Sequence, residues 1–265
     1  MNKSHFNIKS LGDHYIVSDG LLTNQKFILF IGRSNTARNS MPLEKLFDNL
    51  KAQNYIFIWL QPKSQVTSSM LDEKSKNILG IVSSLLGQKD SRIFRHLSRL
   101  IKKFILLMHP LHWGYFLRHY RALPSPSLSA NISRYRNLIH SLGGNKEIVI
   151  IAHSAGGRIA TSLEAENCIK KIICFGYPFK HPQDNEEDER TAHLEHLTKP
   201  CLIIQGKHDE YGGEEVMSRY KLSQNISFQF IDANHEYEDI DLEQWKSATK
   251  AIESLLAESS DEYCQ

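Results

Sequence analysis

The sequence predicts an α/β protein: a mostly parallel sheet with helices on both faces. Three observations carry this. Several short runs are apolar without alternation, namely QKFILFI (25–31), YIFIWL (55–60), IVII (148–151), KIICF (171–175) and CLIIQ (201–205), as strands covered on both faces require. Stretches with apolar residues at helical spacing lie between them. One strand also runs straight into a helix through a turn of small residues around a serine, in KEIVIIAHSAGGRIATSL (146–163).

Taken in order, residues 5–24 hold one or two short edge strands, with Tyr15 to Val17 the better candidate. The strand 25–31 leads through the polar loop GRSNTARNS into a helix over 43–50, opened by Met41 and Pro42, with Leu43, Leu46, Phe47 and Leu50 on one face. The strand 55–60 completes a right-handed crossover. The alternation then pauses until a helix over 132–142, which Gly143 and Gly144 end as a C-cap pair. The strand 148–151, a helix after Ser154 and the strand 171–175 follow. A loop over 176–200 contains the acidic run 186–189 and one helical turn near 192–197. After the strand 201–205 come the loop GKHDEYGG, a helix over 214–222 and a last strand, ISFQFI (226–231), nearer an edge. The closing helix, 242–256, presents Leu242, Trp245, Ala248, Ile252 and Leu256 on one side.

Composition narrows the function classes. With 265 residues and 41% apolar content, the chain can bury one large core or two modest ones. The net charge of +2 is unevenly distributed: residues 61–124 carry eleven Lys and Arg against three acids, and the remainder carries twenty-one against twenty-seven. The basic character belongs to one segment. Cys168, Cys174, Cys201 and Cys264 form no CxxC pair, so neither a zinc site nor a disulfide framework is expected. Neither a GxGxxG nor a GxxxxGK[ST] motif occurs, which argues against dinucleotide and P-loop chemistry. The start, MNKSHFNIKS, lacks a secretory apolar region. The apolar runs, Phe104 to Met108 and Tyr55 to Leu60 among them, are far too short to span a bilayer. The expected compartment is the cytoplasm, and no cofactor or metal is implied.

The chemistry concentrates at Ser154. Small residues two before and two after it, Ala152 and Gly156, let a strand turn abruptly into a helix and lift the hydroxyl out of the sheet. A serine acting only as a helix N-cap needs no such glycines. The N–H of Ala155 then sits at the positive end of the new helix. A serine nucleophile needs a base, and the base needs an orienting carboxylate. Asp209 lies four residues past one strand and His235 four past the next. The order Ser154, Asp209, His235 and their loops at strand ends suit such a triad. Glu210 is the fallback acid, Asp232 and Asp239 are weaker rivals, and His208 stands close enough to Asp209 to crowd it. His153 is expected to point away from the serine. The backbone N–H of Gly32 or Arg33, after the first confident strand, would supply a second oxyanion donor, and Arg33 would offer charge to an anionic substrate.

At these residues the chain resembles the α/β-hydrolase superfamily, from about residue 25 to the end. More narrowly, it resembles the dienelactone-hydrolase-like branch that includes testis-expressed protein 30 and the non-specific-lethal complex subunit 3. The shared features are the turn AHSAGGR, the segment Gly176-Tyr177-Pro178 with His181-Pro182, the pairs Arg190-Thr191 and His193-Leu194, and Gln205, Gly206, Asp209 and Gly212 after the next strand. The branch motifs cover residues 146–213. The resemblance implies an α/β-hydrolase fold with Ser154, Asp209 and His235 as nucleophile, acid and base, in agreement with the reading from the residues. The sequence departs from the family where a His-Gly-rich oxyanion loop is usual: here it reads Ile31-Gly32-Arg33-Ser34-Asn35.

Residues 61–130 are not needed to complete the sheet, and separate a core of residues 1–60 and 131–265 from a basic, aromatic-rich helical cap or lid. Residues 90–108 read as one amphipathic helix with Ile93, Phe94, Leu97, Leu100, Ile101, Phe104 and Ile105 as its apolar stripe and Arg92, Arg95, His96, Arg99, Lys102 and Lys103 around it. A second helix is expected near 78–86. Trp113, Tyr115, Phe116 and Tyr120 follow Pro110. The stripe is expected to cover the hydrolase core. A second expectation, compatible with the first, is peripheral contact with an anionic membrane through residues 92–120. Nucleic acid is disfavoured, because no recognition motif accompanies the basic patch. The function expected is a serine hydrolase that cleaves a carboxylic ester or thioester with an apolar acyl or aryl group through an acyl-enzyme. A non-catalytic scaffold on the same fold, and an acyltransferase, remain open as alternatives.

Overall fold

A computed structural model describes residues 6–32, 41–63, 78, 100–105, 126–183, 188–238 and 240–257. The strands are β1 (Asn7–Leu11), β2 (His14–Ser18), β3 (Lys26–Ile31), β4 (Ile56–Pro62), β5 (Glu147–His153), β6 (Ile169–Phe175), β7 (Cys201–Gly206) and β8 (Ile226–Ile231). The helices are α1 (Met41–Ala52), α2 (Leu128–Leu142), α3 (Ala155–Thr161), α4 (Val216–Arg219) and α5 (Leu242–Ala257), with 3-10 turns at Asp188–Arg190 and Ala192–His196. The eight strands form one sheet in the order β1-β2-β4-β3-β5-β6-β7-β8, and β4 to β8 with β3 run parallel. β1 and β2 are joined by the two-residue turn Gly12–Asp13, which makes them antiparallel.

The continuous apolar runs are strands with both faces covered. Along one face Ile28, Phe30, Val149, Ile151, Ile173, Phe175, Leu202 and Ile204 form a single cluster with Leu46 and Leu50 of α1 and Trp245, Ala248, Ile252 and Leu255 of α5. The alternate residues Phe27, Leu29, Ile148, Ile150, Ile172 and Ile203 are fully buried as well, because successive side chains leave a strand on opposite faces. α3 packs on β3, β5 and β6, with α2 beside α3. Lys171 is the one charged side chain inside these strands that is buried; its ammonium donates to the carbonyls of Leu255 (2.7 Å) and Leu256 (3.2 Å). It thereby closes the C-terminus of α5, where unsatisfied carbonyls and the negative helix end favour a cation.

Several boundaries differ from expectation. α2 begins four residues before 132, because Ser127 caps it and accepts from the N–H of Ala130 at 3.2 Å. The helix expected over 214–222 is only the short α4. Tyr220 is extended there (φ −112°, ψ 146°), and its ring stacks on Phe179 at 5.3 Å. In α5 the packed face includes Thr249 and Leu255, whereas Leu242 is exposed.

The chain divides into two compact units, Met1–Ile8, Val17–Leu60 and Ser127–Gln265 in one, Lys9–Ile16 and Gln61–Pro126 in the other. Within the second, residues 100–105 are helical, as is Ile78. Ile105 is buried, but Leu100 and Phe104, both on the expected stripe, are 62% and 66% exposed. The rest of the expected cap helices, with Trp113, Tyr115, Phe116 and Tyr120, lies outside the described residues. Among the described residues no helix is long and apolar enough to cross a membrane.

Candidate active site

The site grows from the end of β5. Ser154 adopts φ 52° and ψ −126°, a conformation L-residues rarely hold. Its N–H donates to the Phe175 carbonyl at 2.9 Å, and its own carbonyl accepts from Gly157 at 2.8 Å. Its side chain makes no cap bond to α3, so the hydroxyl is presented outward rather than spent on the helix. A methyl group on Gly156 would collide with the Ile31 carbonyl and come within 3.1 Å of the Gly32 nitrogen. Close approach of α3 to the end of β3 therefore requires glycine two residues after the serine, and it sets Gly32 beside the start of α3.

Three strand ends converge. The hydroxyl of Ser154 lies 2.8 Å from His235 Nε2. His235 Nδ1 lies 2.9 and 3.0 Å from the two carboxylate oxygens of Asp209. These residues follow β5, β8 and β7, at the carboxyl edge where parallel sheets carry their reacting groups. Asp209 and His235 are each 4% exposed. A carboxylate only accepts, so Nδ1 carries the imidazole proton and Nε2 is left as the acceptor for the serine O–H.

Asp209 is held on its other sides too. The amide of Gln205 donates to Oδ2 at 2.9 Å, and the Tyr211 backbone N–H donates to Oδ1 at 2.8 Å. Gln205, fully buried, also donates to the Gly212 carbonyl (2.6 Å) and accepts from the Tyr177 N–H (2.9 Å). It thus ties the loop after β6 to the loop after β7. Gly176, at φ 58°, passes so close to the triad that an added methyl would stand 3.3 Å from His235 Nδ1 and 3.4 Å from Asp209 Oδ2. Only glycine combines that φ with that clearance. The Tyr237 hydroxyl donates to the Ile204 carbonyl at 2.6 Å, and burial, then the Asp209 charge, pushes its pKa well up.

Three of the rival groups, His208, Asp232 and Glu210, are exposed. His208 is exposed and paired with Asp232 at 2.9 Å, which removes both from the site. Glu210 is exposed; Asp239 lies outside the described residues. His153, expected to point away from the serine, has its ring 5.7 Å from that of His235 and 5.9 Å from that of Tyr237. It continues the row of Val149 and Ile151, and the loop carrying Ala233, His235 and Tyr237 folds over that face. Ala155 is the first residue of α3, and Gly32 directly follows β3; Arg33 lies outside the described residues.

The remaining motif residues brace the loop after β6. The Tyr177 hydroxyl donates to the Arg190 carbonyl at 2.7 Å. The Thr161 hydroxyl donates to the Gly157 carbonyl at 3.0 Å and lies 2.8 Å from His193 Nε2, so the histidine is the donor there. Burial, then the charge of Arg158, lowers the His193 pKa below its ordinary 6.5. Reading the sequence for reacting groups passes over the supporting roles of Gln205 and Tyr211. The available signal for Gln205 is a lone amide ending an otherwise apolar strand, which a buried strand tolerates only when every polar atom is bonded.

Comparison with known proteins agrees with this architecture. No curated protein matches the chain by sequence. Among solved structures it is similar to a thioesterase domain from the curacin biosynthetic pathway (TM-score 0.54, 11% identity, covering 97% of this chain and 100% of that one). It is also similar to Est1E from Butyrivibrio proteoclasticus (0.51, 11%, 96% and 99%) and to alpha/beta hydrolase domain-containing protein 10 from mouse (0.51, 10%, 95% and 98%). At such identities the likeness speaks for the fold. A family model described as an alpha/beta hydrolase domain matches residues 88–263, so the chain belongs to the α/β-hydrolase family.

Proposed function

We propose that the protein is a serine hydrolase that cleaves a carboxylic ester or thioester through an acyl-enzyme intermediate. The observation that carries this reading is the unbroken relay from the Ser154 hydroxyl through His235 to Asp209. His235 Nε2 takes the hydroxyl proton as Oγ attacks the carbonyl carbon. Asp209 holds the tautomer and balances the imidazolium. The N–H of Ala155, with that of Gly32 or Arg33, receives the charge developing on the carbonyl oxygen. His235 then gives its proton to the departing alcohol or thiol. It next removes a proton from water, which attacks the acyl-serine carbonyl, and returns that proton to Ser154 Oγ as the C–Oγ bond breaks, freeing the acid and the serine.

An apolar acyl or aryl group fits the reading of residues 61–130 as a cap, since pockets beneath helical caps are lined mainly by apolar side chains. The likeness to a thioesterase domain and to Est1E, which has also been solved with ferulic acid bound, supports that class of small ester or thioester. Within the family we assign the chain to the dienelactone-hydrolase-like branch, on the AHSAGGR and Gln-Gly-x-x-Asp segments. We place it in the cytoplasm, with the cap touching anionic membrane through residues 92–120.

A fluorophosphonate probe tests the central claim. The native protein is expected to be labelled and Ser154→Ala is not. A folded native protein that stays unlabelled belongs instead among scaffolds that keep the fold without the reaction. An ester series of increasing acyl length then defines the substrate, and product formation with added alcohol or thiol separates hydrolysis from acyl transfer.

A further inference from the structure

The imidazole of His235 is engaged along its edges by Ser154 and Asp209. Charge that arrives on the ring when it takes the serine proton can be stabilised further through its faces. The phenol ring of Tyr211 lies over the imidazole, with centroids 4.3 Å apart and planes inclined by 38°. Tyr211 is fixed independently of that contact. Its N–H donates to Asp209 at 2.8 Å, its carbonyl accepts from Lys180 N–H at 3.0 Å, and its ring meets His181 edge-on at 6.0 Å. The ring of His153 also lies near the imidazole, at 5.7 Å.

Resting on the triad reading above, we propose that Tyr211 is a positioning residue for the general base. Its π face clamps the His235 ring at the angle that suits both hydrogen bonds and stabilises the imidazolium that forms as Ser154 is acylated. A cation over an aromatic face is attracted by the ring quadrupole, and this attraction grows only as the proton is transferred. It acts on the rate of acylation rather than on ground-state binding. The backbone N–H that serves Asp209 is retained in any substitution, so the side chain can be tested without disturbing the carboxylate.

The experiment compares wild type, Tyr211→Phe and Tyr211→Leu, with circular dichroism to confirm folding. It measures the fluorophosphonate labelling rate and, with p-nitrophenyl butyrate as the probe ester, kcat and KM separately. Leucine fills similar space without a π face. It is expected to slow labelling and kcat by roughly 5- to 30-fold with KM nearly unchanged, whereas phenylalanine keeps the wild-type rate. A leucine variant as fast as wild type would overturn the proposal, as would a phenylalanine variant as slow as the leucine one, which would move the role to the hydroxyl. A wild-type protein that is never labelled sinks the hydrolase reading and this proposal with it. A labelled wild type with an unaffected leucine variant sinks only this one.

Discussion

The amide of Gln205 donates to Asp209 at 2.9 Å while the same residue accepts the Tyr177 N–H and donates to the Gly212 carbonyl. One buried side chain therefore sets the angle of the candidate acid and joins two loops that carry the site. Replacing it with leucine leaves a buried carbonyl and a buried N–H without partners, a loss of about 1–3 kcal/mol for each. The carboxylate is then free to turn away from His235. We expect Gln205→Leu to lower the fluorophosphonate labelling rate by about 10²-fold, as a misplacement of about 1 Å can, and to lower the urea midpoint. Gln205→Glu keeps the shape and the acceptor but sets a second carboxyl beside Asp209. Labelling by that variant at the wild-type rate would show that the amide plays no part.

His193 supplies a pH-dependent contribution to stability. Its folded pKa lies below the ordinary 6.5, because burial first and the Arg158 charge second disfavour the charged form. In the window between that lowered value and 6.5 the unfolded chain binds the proton and the folded chain does not, so stability rises with pH there. The contribution is fully present above 6.5 and is lost as the pH falls through the folded value. Replacing His193 with glutamine should flatten the stability-against-pH curve below neutrality. Urea unfolding at pH 7.5 and 5.5 checks this; an identical slope in both proteins would rule it out.

The proposed cap gives a third prediction. Leu100 and Phe104 are exposed on residues 100–105, one helical turn apart, with Lys102 and Lys103 between them. If this face lies on an anionic membrane, Leu100→Ser with Phe104→Ser should weaken binding to vesicles containing phosphatidylserine by roughly tenfold or more, since burying each apolar side chain contributes about 1.5–3 kcal/mol. Neutralising Lys102 and Lys103 should weaken it further and reduce its salt dependence. Sedimentation with vesicles that is equal for all variants would dispose of the membrane reading.

The sequence by itself determined the sheet, its parallel strands and the strand–serine–helix turn. Those features are written locally: an unbroken run such as IVII can be satisfied only by burial on both faces, and a helix can start so abruptly after Ser154 only where Gly156 admits it. It also ordered Ser154, Asp209 and His235 along the chain at successive strand ends. Tertiary structure alone decided which polar residues meet. His208 and Asp209 are neighbours in sequence, yet one is exposed on Asp232 and the other buried against His235. His153 comes to lie near the imidazole, Gln205 bonds Asp209 and Tyr211 lies over the His235 ring, because hydrogen-bond partners 26 or 28 residues apart are chosen by how strands stack in the sheet, and no local pattern of residues records that choice.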